Sequence, residues 1–385
     1  MNVHPGETLE DVERAIVEGP AAIRQKMFPG QPVGAGLRLS AAVATDLAEH
    51  PERLARLKSL LDEHGLCAFT ANAFPAGNFN SGSVKEEVYR PSWAERGRVS
   101  YTLAAAHALA SLGGGAQVSL STVAGGYRAD GDDKKTRDEM ARNLALTAAA
   151  LHTLREETGV SVRLCLEPEP LTTIETTEDA VEFFRKHVYP GGERALHGTA
   201  TYNPGQATEI LHEHLGLCYD CCHQAVLWED PVDSLDRLDR SGIPIGKLQL
   251  TCALEGSPRD LARYDEPRYL HQVAAPGGHR AHDLGALPDD WSAITVARAH
   301  FHVPIYLETV GSLRTTRPFL ETALAEVVRR GLTSDIEIET YTWDVIPEKD
   351  RRAKCGETLL ESLEREYSWV LDRLQKRMEG VGGEG

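Results

Sequence analysis

With 385 residues, 41% of them hydrophobic and 26% charged, the chain can fill one large α/β core, and no apolar run approaches the roughly 18 residues of a membrane span, which excludes membrane insertion. The net charge of −17, from 58 acidic against 41 basic residues, opposes tracking a phosphate backbone, and Lys and Arg gather only in short pairs such as Lys134 with Lys135, so small-molecule partners are expected and nucleic acid is not. Seven cysteines, four of them (Cys67, Cys165, Cys218, Cys252) inside predicted strands, and an N-terminus without a basic, then apolar, leader fit a cytoplasmic protein with reduced thiols.

Taken in chain order, strand-like runs alternate with helix-like runs. Strands are predicted at 36–40, 66–74, 116–123, 161–168, 215–221, 246–252, 303–308 and 336–341. Helical periodicity fills 42–64, 97–112, 134–158, 178–188, 318–330 and 357–378, and several of these helices stop at a glycine just ahead of a strand. A repeated βα unit with no GxGxxG after the first strand predicts a single (β/α)8 TIM barrel over residues 1–378, with a tail at 379–385 expected to be disordered. Counting Asn2, Val3 and His4 as the remnant of a first strand makes 303–308 a ninth run, and hence an insertion. Two polar, irregular stretches, about 189–212 and 253–299, are expected as loop insertions at the C-terminal face, the second lying over the mouth as a lid.

Polar side chains close the buried runs: Glu167 in SVRLCLEPEP, Asp220 in LGLCYDCCHQ, Gln249 in IGKLQLTCAL and Glu339 in DIEIETYTWD. Carboxylates at the C-terminal ends of barrel strands are how such a fold holds a divalent cation, here Mn²⁺ or Mg²⁺ in preference to Zn²⁺. Each has a plainer alternative: Glu167 as a helix-start carboxylate, Asp220 with His223 as a buried ion pair, Gln249 as a hydrogen-bonding member of a barrel layer. Glu337, two residues before Glu339, should point inward with it. His300 and His302 form an HxH, a hydrolase signature when it lies on a first strand, but here it is late in the chain. His302 is read instead as a wall residue or substitute ligand. His271 is expected to reach in from the lid, His4 from the first strand, and Tyr341 to present a ring for stacking. The four cysteines at Cys218, Cys221, Cys222 and Cys252 include no CxxC pair and read as buried thiols.

The strand-end Glu167, the DxxH of Asp220 to His223 and the late Glu339 resemble the xylose isomerase-like TIM-barrel superfamily of sugar isomerases, epimerases and dehydratases. Across NVHPGET, VYRPSW, STVAGGY, YDCCHQAVLWEDP, KLQLTCAL, FHVPIYLE and IETYTWDVIP the chain is similar to EboE-type metabolite traffic proteins. The superfamily resemblance implies one divalent ion held by Glu167, Asp220 and Glu339, with Gln249 standing where a histidine is expected. It also implies proton transfer by Glu167 and Glu339 on a sugar- or cyclitol-like polyhydroxy ketone, with His223 contacting a substrate oxygen. The EboE resemblance implies a non-catalytic metabolite-binding protein. A homodimer is left open.

Overall fold

The computed structural model describes residues 3–79, 82–198, 201–356 and 358–381, without the side chains of residue 353 and residues 376–381. Six strands follow one another as parallel neighbours: β1 (Val33–Arg38), β2 (Leu66–Asn72), β3 (Gln117–Val123), β4 (Ser161–Glu167), β5 (Leu215–Asp220) and β6 (Ile245–Leu250). The chain then leaves the sheet for β7 (Cys252–Gly256), β8 (Val273–Ala275), β9 (His279–Ala281), β10 (Ala297–Val303), β11 (Thr309–Val310) and β12 (Leu313–Thr315). It returns as β13 (Ile336–Ile338), which pairs parallel with β6. The seven parallel strands and their outer helices make a TIM-type β/α barrel. At its seam β13 meets β1 closely: a Cβ on Gly36 would stand 1.7 Å from Glu337 Oε1, so only glycine fits there.

The physics of the elements is ordinary. Every residue of β5 and β6 is buried, as strands covered on both faces must be. The helix Lys134–Thr158 ends on Gly159 at φ 76° and Arg317–Arg330 on Gly331 at φ 63°, left-handed positions where glycine carries no Cβ penalty. Among the described residues no helix is long and apolar enough to cross a membrane.

Several expectations are corrected. Val3 and His4 lie in a turn rather than a strand, and Asn2 is outside the described residues, so the described barrel has seven strands. The run 303–308 is outside the barrel and is not a strand of its own: Val303 ends β10, and 304–308 lead irregularly to β11, within the insertion. The stretch 189–212 is not irregular but helical, as Tyr189–His197 and Pro204–His214; Pro190 and Pro204 sit in first turns, where a missing N–H costs nothing. Pro51 likewise starts a new helix and splits the run 42–64 in two. The stretch 253–299 is not a bare loop: it carries most of a six-stranded antiparallel sheet ordered β11-β12-β7-β10-β8-β9. The last helix runs on from Leu359 to Val381, and residues 382–385 are outside the described part. Its Glu366 is buried and accepts hydrogen bonds from Thr340 Oγ1 at 2.6 Å and Ile305 N at 3.1 Å, pinning both ends of the insertion's return path.

Candidate active site at the barrel mouth

Asp220 ends β5 and caps the short helix Cys221–Val226. Its Oδ1 accepts from Cys222 N at 2.7 Å, His223 N at 2.9 Å and Thr251 Oγ1 at 2.8 Å, which fixes the carboxylate and sets His223 one turn on. Its Oδ2 is buried without a hydrogen-bond partner, as is Oε2 of Glu167 at the end of β4. Glu339 follows β13 directly, and Asn72 Nδ2 donates to its Oε1 at 3.3 Å. One oxygen each from Glu167, Asp220 and Glu339 lie within 4.8 Å of one another.

Three buried carboxyls this close cannot all ionise without a countercharge. Burial, then the charges of Glu339 and Asp220, raises the Glu167 carboxyl well above its ordinary value. Burial, then Asp220, pushes Glu339 up to about 8. Lys247 supplies part of the compensation from the barrel interior, its Nζ lying 2.6 Å from Glu337 Oε2 and 3.2 Å from Ser121 Oγ. Two orphaned carboxylate oxygens beside a third acid are a donor set that fits a hard divalent cation, held by Glu167, Asp220 and Glu339.

Gln249 is in register with Asp220 on one side and Glu337 on the other, so it too faces inward. Its Oε1 accepts the Cys218 thiol at 3.1 Å, which engages the oxygen a metal would need. His300 and His302, alternate residues of β10, point to one side of the insertion sheet and meet His223 at the mouth, with Nε2–Nε2 distances of 2.9–3.4 Å. The His223–Asp220 ion pair is marginal at 4.0 Å, because His223 Nδ1 faces the Pro168 carbonyl at 3.1 Å instead. Burial, followed by neighbouring imidazoles, drives His300 far below its ordinary value; burial likewise takes His302 down to about 4, against an opposing pull from Asp220.

Tyr341 is at the site, its hydroxyl 3.3 Å from His300 Nε2 and its ring 4.3 Å from that of His302. His271 is not: His300 O at 2.7 Å and Glu266 Oε1 at 3.0 Å occupy its two nitrogens, and its ring stacks on Phe301 at 3.8 Å. His4 is not either; it lies against Gly19 and lines a separate cavity between β1 and β13. Residues that sequence reasoning missed surround the imidazoles. Gln272 meets His300, and Glu169 accepts from Tyr89 Oη at 2.7 Å and from Gln272 Nε2 at 2.9 Å.

The cavity enclosed by these groups is about 50 Å³, roofed by Phe79, Tyr269 and Tyr341, whose ring centres lie 5.0–5.2 Å apart. Lys85 joins the roof halves, its Nζ donating to Tyr269 O at 2.7 Å, Asp283 Oδ2 at 2.6 Å and Glu266 O at 3.3 Å.

Fold and site together define a β/α barrel with an acid and imidazole pocket at the C-terminal ends of its strands. No family model and no curated protein matches the chain. Among solved structures it is similar to a xylose isomerase-like TIM barrel protein from Mycobacterium smegmatis in complex with magnesium, at 14% identity and TM-score 0.49 over 94% of this chain and 89% of that one. It is similar to the IOLI protein with a binding zinc atom, at 14% identity and TM-score 0.46 over 92% and 91%. A third is the probable 3-DHS dehydratase AsbF of Bacillus anthracis, at 14% identity and TM-score 0.44 over 86% and 88%. These overlaps carry no information about individual residues, whose chemistry follows from their own geometry.

Proposed function

We propose that this protein is a cytoplasmic, divalent cation-dependent isomerase, epimerase or dehydratase acting on a sugar- or cyclitol-like polyhydroxy ketone. The observation that carries this reading is the convergence of Glu167, Asp220 and Glu339, the two glutamates lining a small, aromatic-walled cavity. Mg²⁺ or Mn²⁺ suits these oxygens, and such an ion, when bound, polarises a carbonyl and steadies an enediolate. The chain's own work is proton transfer. Glu167 and Glu339 share the cavity, and burial raises the proton affinity of both, so that one can take the α-proton while the other returns it. His223 Nδ1 faces the Pro168 carbonyl, so its Nε2, turned to the cavity, is the nitrogen we assign to contact with a substrate oxygen, as an acceptor. Phe79, Tyr269 and Tyr341 form the wall against which a ring would lie.

The engagement of Gln249 by Cys218 favours a second reading, a non-catalytic metabolite-binding protein of EboE type. The test is calorimetry with Mg²⁺ and Mn²⁺, followed by NMR detection of solvent deuterium entering keto-sugars and cyclitols. Cation binding and exchange that Glu167→Gln and Glu339→Gln both abolish support the enzyme. Metabolite binding with no deuterium entry supports the binding protein, and no cation binding by the unmodified chain rules out the metalloenzyme.

A further inference from the structure

Away from the mouth, His152, Glu213 and His214 come together at the opposite end of the barrel. His152 lies near the end of the helix Lys134–Thr158, and His214 is the last residue of the helix Pro204–His214, immediately before β5. β5 closes on Asp220, so its length puts roughly 20 Å between this cluster and the acids of the mouth. One ligand atom from each of the three residues lies within 4.8 Å of the other two. The two rings meet edge to face with centres 5.8 Å apart, and His214 Nε2 stands 3.7 Å from Glu213 Oε2.

The setting of the rings decides where their lone pairs are. His214 is fully buried, and its Nδ1 faces the Val162 carbonyl at 2.9 Å. A carbonyl only accepts, so the proton is on Nδ1 and the lone pair on Nε2. That Nε2 has no hydrogen-bond partner, and neither has the buried Nδ1 of His152, whose Nε2 lies 3.7 Å from Glu156 Oε1. Burial, the leading effect, holds the His214 ring below its ordinary value and keeps it neutral at pH 7. Buried ring nitrogens ordinarily find partners, and two that do not, in rings that touch, call for a shared one. The Glu213 carboxylate is fixed alongside by Arg155 Nη1 at 2.7 Å and Ser161 Oγ at 3.2 Å.

We propose that His152, Glu213 and His214 bind one Zn²⁺, which ties the end of the helix Lys134–Thr158 to the start of β5. Two imidazoles and a carboxylate are a borderline-soft donor set suited to zinc, whose ligands, bound at about 2.0–2.2 Å, lie about 3.3 Å apart. The 3.7 Å between His214 and Glu213 is close to that spacing, and the partly exposed His152 side chain closes the remainder. The Val162 carbonyl on the far nitrogen of His214 is the kind of support that orients a metal-bound imidazole. The partly exposed Glu213 leaves the fourth position open to solvent, and Arg155, a cation on the same carboxylate, competes with the ion.

The experiment is calorimetric titration of the whole, metal-stripped chain with Zn²⁺, beside His152→Gln, Glu213→Gln and Arg155→Gln, with circular dichroism as the check on folding. One Zn²⁺ equivalent is expected to bind more than about tenfold more weakly in His152→Gln and Glu213→Gln, and more tightly in Arg155→Gln. It is expected unchanged in Glu167→Gln, which separates it from any ion at the mouth. Zn²⁺ should also raise the urea midpoint of the parent more than that of His152→Gln. Zinc-edge anomalous scattering from crystals of the unmodified protein locates the ion directly, whether or not the variants fold. A folded His152→Gln that binds Zn²⁺ as the parent does overturns the proposal, as does a zinc-soaked crystal with no anomalous peak beside the two rings.

Discussion

Gln272 Oε1 lies 2.6 Å from Nδ1 of His300 and makes that nitrogen the ring's donor, as the carbonyls of Pro168 and Glu339 do for His223 and His302. The contact joins the insertion sheet to the barrel loop, because the same amide also donates to Glu169 and Pro170. Gln272→Ala should free the His300 ring and cost about 1–3 kcal/mol through the buried groups it strands. Urea unfolding measures the effect.

Lys247 and Glu337 form an ion pair within the barrel, 0% and 9% exposed. Burial opposes the charged amine, but Glu337 and the neighbouring acids outweigh it and raise the Lys247 value. Lys247→Met should destabilise by about 3–5 kcal/mol, because a carboxylate is left buried without its ammonium. Adding Glu337→Gln should recover most of that loss. Equal destabilisation in single and double variants would show that the pair is not coupled.

Glu366, bound to the neighbour of Glu339 but outside the carboxylate cluster, supplies a further pH dependence. Burial raises its carboxyl from 4.5 to about 7, against the pull of its bonds to Thr340 and Ile305. A raised carboxyl favours the folded state below the unfolded value and loses that advantage as pH rises through about 7. Glu366→Gln keeps an acceptor oxygen for both bonds. It should match the parent near pH 5 and exceed it by about 1–3 kcal/mol near pH 8. Urea midpoints across this range check it, and parallel pH curves would contradict it.

Burial and Asp220 push Glu339 up to about 8, so a cation arriving at neutral pH meets a carboxyl in the cluster that still holds a proton. Binding of Mn²⁺ at pH 7 should therefore release protons, and affinity should climb with pH up to about 8. Calorimetry in two buffers of different ionisation enthalpy reads the proton count. Identical heats in both would mean that the cation binds elsewhere.

The barrel was legible because its buried strands are continuous apolar runs and its helices carry their own stops. Glu167, Asp220 and Glu339 were legible for the same reason: an acid closing such a run has few structural uses. Gln249 was legible only as to the way it faces, since strand register does not show that a thiol on the neighbouring strand will donate to its oxygen. His271 and Gln272 show the limit most clearly. Alternation on an extended segment sends them to opposite faces, and the chain gives no sign of which face meets the barrel. The histidine belongs to the outer stack with Phe301, and the glutamine to the site. The HxH was visible as a pair on one face, but its partner His223 lies 77 residues away in the chain. Only the antiparallel insertion, which reads as a polar loop, brings them together.

The roof held by Lys85 also bears on entry to the cavity. A space of about 50 Å³ accommodates a water molecule or two, so a sugar-sized molecule needs the surrounding side chains to move aside. The ammonium must then leave three oxygen partners on the insertion, two of them backbone carbonyls that no side-chain change can remove. Any opening of the roof therefore has to break one lysine's contacts with both carbonyls and with Asp283.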